Sequence, residues 1–140
     1  MTRTPLRDPG GPHAEAAVTA FRDAGGAVDD PNERALVAIL GAYAPALLPL
    51  VVSTPSIPRE VLRSGLQSAV RAPGLVRALR GEVERVEDSP ALTRALRRFR
   101  HRHLVRLAVR EIAGLADGDA TAKEMAALAS AGVEGALEAA

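Results

Sequence analysis

Prolines head one run of helix-forming residues after another in this chain, and that punctuation limits the fold more than any other feature. A proline has a fixed φ and no amide donor, so it fits the first turn of a helix and little of its interior. Asp30-Pro31-Asn32-Glu33 supplies an acceptor for orphan N–H groups, then the proline, then an acidic residue in the first turn. That spacing predicts a helix to about Ala42. Pro45 starts another, Pro58-Arg59-Glu60 opens a third, and Pro73-Gly74 separates it from a fourth running from about Gly74 to Glu87. Ser89-Pro90 opens the longest helix, expected over 89–116. Asp117-Gly118-Asp119 reads as the turn that ends it, and Thr121 with Glu124 fits a capping box for a last helix to about Glu138. A weaker segment at 14–24 brings the total to about seven. Extended β-branched runs are absent while Ala, Leu, Arg and Glu abound. The expected fold class is therefore all-α, an irregular helical bundle with one long helix near 89–116.

The 140 residues set a prior of one domain, placed at 14–140. Met1 to His13 holds three prolines, two glycines and one large aliphatic residue after the initiator, Leu6, and is expected to be a flexible tail without the apolar stretch of a secretory signal. Ala35 to Pro58 carries no charge and is long enough to suggest a membrane span. Pro45 and Pro49 argue for two short core helices joined near Ala44, because each would leave a carbonyl without a donor in lipid. The absence of Cys excludes disulfides, thiolate metal sites and cysteine nucleophiles, and fits a cytoplasmic address.

Few residues look equipped for chemistry. Asp117 and Asp119 form an Asp-x-Asp pair of the kind that holds Mg²⁺, but the residues before them read as the end of a helix rather than a rigid strand, so capping is the expected role. His101 and His103 lie about 200° apart on a helix and cannot share a metal. No nucleophile elbow, phosphate-binding loop or dinucleotide fingerprint occurs. No catalytic, cofactor-binding or metal-binding residue is expected.

The net charge of +1 conceals an uneven distribution: residues 91–113 hold seven Arg against one Glu, and 114–140 hold five acids against one Lys. Arg98, Arg102, Arg106 and Arg110 follow at i+4 along one slowly drifting row, making them the candidate partner contacts. Leu92, Ala95, Leu96 and Phe99 form the early apolar face, with Phe99 as the core anchor. From Leu104 to Ile112 the apolar arc widens, which implies cover on more than one side. The row has three readings: phosphate binding, pairing with the acidic segments 82–88 and 117–138, or docking on another protein domain. Three aromatic residues in the whole chain offer little for stacking bases, which weighs against nucleic acid.

The run from Ala91 to Glu111, ALTRALRRFRHRHLVRLAVRE, continued by Ile112-Ala113-Gly114-Leu115-Ala116-Asp117, resembles the signature helix of bacterial glutamine synthetase adenylyltransferases. Ala126-Ala127-Leu128-Ala129 and Val133 to Glu138 are similar to the family's next helix, and Leu36 to Val52 resembles its apolar helix pair more loosely. The resemblance covers about 32–140. It implies the N-terminal helical section of an enzyme that moves AMP from ATP to a tyrosine of glutamine synthetase and removes it again, in nitrogen control. The family's Gly-Ser turn and Asp-x-Asp strand would follow this section, and no position here matches them, so the chain is expected to be truncated before them and not catalytic alone. ATP and Mg²⁺ belong to the full-length family, with no cofactor expected on this chain. The implied partners are a nucleotidyltransferase section or another protein surface, and glutamine synthetase. The alternatives are a stand-alone helical interaction module and an Arg-dependent nucleic-acid binder.

Overall fold

The computed structural model describes residues 6–67, 69 and 71–139, with the backbone alone at 72 and 133–139. Among the described residues there are seven α-helices and no strand. They are α1 Pro12–Asp23, α2 Pro31–Tyr43, α3 Leu48–Ser53, α4 Ile57–Ser64, α5 Ala72–Val83, α6 Ser89–Ile112 and α7 Gly118–Ala139. A 3₁₀ turn, Pro45–Leu47, leads into α3. No helix among the described residues is long and apolar enough to cross a membrane, and the uncharged stretch 35–58 is divided between α2, the 3₁₀ turn, α3 and the start of α4.

Local chemistry accounts for most helix ends. Asp30 Oδ1 accepts from the Asn32 N–H at 2.7 Å and the Glu33 N–H at 3.4 Å, with Pro31 at the first helical position. Asp88, one residue before the expected start, caps α6 by accepting the Ala91 N–H at 2.7 Å. That helix stops at Ile112, four residues earlier than expected. Gly114 takes φ +77°, and Leu115 N–H closes back on the Arg110 carbonyl at 2.8 Å, a left-handed glycine stop. α5 is shifted toward the N-terminus, because Pro73 sits inside its first turn, where a missing N–H costs nothing. The capping box expected at Thr121 and Glu124 is not formed. Asp117 caps α7 instead, accepting the Ala120 N–H at 2.7 Å, and Glu124 faces inward.

Two apolar clusters organise the fold. The first gathers Phe21 of α1, Leu36 and Leu40 of α2, Val51 of α3, and Ile57 and Val61 of α4, and takes in Val105 and Val109 from α6. Helix α1 lies so close on α2 that a Cβ at Gly41 would meet the Ala17 side chain and come within 2.7 Å of the His13 carbonyl oxygen. The second cluster joins Leu75 and Leu79 of α5, Phe99 and Leu107 of α6, and Leu128 and Ala131 of α7. The later half of α6 is thus covered on two sides, Val105 and Val109 entering one cluster and Leu107 the other.

Of the stretch expected as a tail, residues 1–5 lie outside the described residues. Leu6 packs against the first cluster and its N–H approaches Asn32 Oδ1 at 3.4 Å. Pro12 and His13 already belong to α1.

Candidate functional site

Successive i+4 positions on an α-helix are rotated by about 40°, so the row from Arg98 to Arg110 turns through about 120°. It begins in solvent and ends in the interior. Arg98, at the exposed end, donates to Ser56 Oγ at 3.0 Å and pairs with Glu60 of α4. Arg102 is mostly buried and pairs with Glu82 of α5, its guanidinium 5.6 Å from the centre of the Phe99 ring. Arg106 and Arg110 are 3% exposed.

The two buried arginines close on one carboxylate. Arg110 Nη1 pairs with Glu124 Oε2, and Arg106 Nη1 lies 3.7 Å from Glu124 Oε1. Both also donate to backbone. Arg106 Nε donates to the Gly65 carbonyl at 3.1 Å and Arg110 Nε to the Leu66 carbonyl at 3.0 Å. Gly65 takes φ +84° just after α4, so these carbonyls mark the exit of that helix. One charge cluster therefore joins the α4 exit, α6 and α7. A guanidinium suits this place because its planar fork offers several fixed donors and keeps its charge when buried. Burial and the neighbouring Arg110 lower the pKa of Arg106, while Glu124 raises it.

Phe99 is 2% exposed in the second cluster, with the His103 ring one turn on at a centroid distance of 4.5 Å. Burial first, then the charges of Arg102 and Arg106, push the His103 pKa down to about 4, so the ring is neutral at pH 7. His101 is also shifted down, by burial and then by Arg97 and Arg100. Among the described residues no three His, Cys, Asp or Glu side chains gather to hold a metal. Asp117 caps α7, and Asp119 pairs with Lys123 at 3.1 Å.

Arg106 and Arg110, expected to face a partner, are thus turned inward. Only Arg98 and the partly covered Arg102 lie toward the surface. The reading in which the row pairs with the acidic segments 82–88 and 117–138 is the one the structure supplies, through Glu82 and Glu124. The sequence did not single out Glu124, which fits a local capping pattern until the turn at 113–117 brings it opposite the arginines. Its spacing of 14 residues from Arg110 gave no signal.

This arrangement falls within residues 34–140, which match the family model of glutamate-ammonia ligase adenylyltransferase. The chain belongs to that family. Searches of curated proteins and of solved structures found no match. In this adenylyltransferase-like region the match includes the buried charge cluster, Phe99 and the whole of α2 apart from its first three residues. It takes in Leu36 to Val52, the stretch whose resemblance to the family is looser. Helix α1 lies outside it.

Proposed function

We propose that this chain is a helical scaffold of an adenylyltransferase-like protein, which braces a nucleotidyl-transfer section and does not itself move AMP. The supporting observation is the buried Arg106–Glu124–Arg110 cluster, which ties three segments into one rigid unit and uses in structure the charges that could otherwise have met a nucleotide. Asp117 and Asp119 have structural partners too, one at a helix N-terminus and one in a surface ion pair. Metal-assisted phosphoryl chemistry calls for carboxylates aimed together at a phosphate, and these two are engaged elsewhere.

Glutamine synthetase, through family membership, is the protein whose modification such a scaffold would serve, in a regulatory setting of nitrogen control. ATP and Mg²⁺ would bind the transferring section rather than this one. The test is incubation of the purified chain with glutamine synthetase, Mg²⁺ and ATP labelled in the α-phosphate. No transfer of label is expected. Labelled glutamine synthetase from a preparation free of other enzymes would overturn the reading.

A further inference from the structure

A second face of α6 is open. Leu96, Arg97, Arg100 and Leu104 recur at helical spacing along it, and Met125, Leu128 and Gly132 do the same on α7. Between the two stripes runs a groove of about 570 Å³ with Phe99 among its lining residues. Met125 is left 45% exposed, and a Cβ built on Gly132 meets nothing within 4 Å, so the wall is open at both ends while Leu128 between them packs down into the second cluster. Two parallel helical stripes with a trough between them present ridges that suit a third helix. From Thr93 to Leu104 the α6 wall runs for about 16 Å, or three turns.

The rim sets the sign of the occupant. Arg98, Arg102, Arg106 and Arg110 each meet a carboxylate, whereas Arg97 and Arg100 are exposed and in no ion pair among the described residues. Their joint field, after burial, already lowers the pKa of the neighbouring His101. The groove floor is apolar and Phe99 is buried beneath it, leaving the His101 ring at the rim as the one partly exposed ring in the lining, which offers little for stacking bases.

We propose that the α6/α7 groove is the docking site of a single amphipathic helix with an apolar face and acidic flanks, supplied by another polypeptide section. This rests on the scaffold reading, because it names the surface through which the brace would be made. Met125 suits the role, since an unbranched thioether adapts to a partner's shape.

The test uses the full chain and a fluorescein-labelled synthetic helix of about 16 residues, with Leu along one face and Glu on both flanks. Fluorescence anisotropy should show saturable binding. The same peptide with Lys for Glu should bind at least about tenfold more weakly, as should the Glu peptide to Arg97→Glu/Arg100→Glu and to Gly132→Leu. Circular dichroism melting must show each variant folded and no less stable than the parent chain. The proposal falls if the Glu peptide does not saturate, or if both peptides bind alike. It falls equally if the chain dimerises through this face and the variants abolish the dimer, which gives the groove to a second copy. A single-stranded DNA that competes the Glu peptide off at lower concentration would give it to nucleic acid. Failure of the peptide leaves the scaffold reading intact, and AMP transfer by the chain would remove that reading without touching the peptide result.

Discussion

Around α1, α2 and α4 the interior is built from aliphatic and aromatic side chains in close contact: Phe21, Leu36, Leu40, Ile57 and Val61 are completely buried, and Gly41 lets one helix backbone settle on another. Around α5, α6 and α7 the apolar cluster is smaller, six buried residues against fourteen among the described residues, and a buried charge cluster lies beside it. The difference teaches where each half is vulnerable. Packing in the first half resists any added atom, and its buried carboxylate, Glu33 of α2, is held by the exposed Arg59 of α4 at 3.5 Å. In the second half removal of a single carboxylate strands two guanidinium groups away from water.

That contrast can be broken most directly at Glu124. Glu124→Ala should cost about 3–5 kcal/mol, because the cost of stranding a buried charge exceeds the worth of the pair itself. Urea unfolding measures it. An apolar replacement of all three, Arg106→Met/Arg110→Met/Glu124→Leu, should recover most of the loss, and a triple variant as unstable as the single one would show that the backbone contacts to Gly65 and Leu66 matter more than the charges.

Phe99→Ala comes next, with about 3–5 kcal/mol for the lost contacts and the cavity. A thermal melt placing the loss below about 1 kcal/mol would remove Phe99 from the core of the second half. For the first half the corresponding probe adds an atom rather than removing one. Gly41→Ala should destabilise by about 1–3 kcal/mol, since the new methyl group meets the Ala17 side chain and the His13 backbone.

The pH dependence sharpens the comparison further. His103 in the folded chain holds its proton only below about pH 4, whereas the unfolded chain protonates it near 6.5. Between those values the unfolded state binds more protons, so stability falls as pH drops from about 6.5 toward 4. From pH 7 to pH 5 this contributes about 2 kcal/mol of loss, and His103→Gln should flatten that part of a stability profile followed by chemical denaturation. At the small end, Gly132→Ala should stabilise the chain by about 0.5–1 kcal/mol, since the helix gains a favoured residue and the methyl group meets no neighbour.

Local rules carried the reading of the sequence as far as local rules apply. Asp30-Pro31 and Ser89-Pro90 mark helix starts because caps and prolines act within a turn of themselves. The burial of Phe99 was legible because apolar neighbours at helical spacing surround it. α6 ends earlier than its apolar pattern because Gly114 stops the helix as a left-handed residue, a role that a glycine in an apolar run does not advertise. The arginine row reads as one surface when counted in fours, and its accumulated rotation is what carries Arg106 and Arg110 inside. Glu124 was lost to a plausible cap because a tertiary contact outcompeted it. Arg97 and Arg100 fall outside a row counted in fours, although the sequence carries their stripe at 96, 97, 100 and 104.

Helix α6 belongs to both clusters, and this has a consequence for how the molecule comes apart. A rod whose valines are gripped by one half and whose Phe99 and Leu107 are gripped by the other cannot be released by either half alone. Its amide protons around Val105 to Val109 should therefore be the slowest in the chain to exchange with deuterium, and calorimetry should record one melting event in place of two.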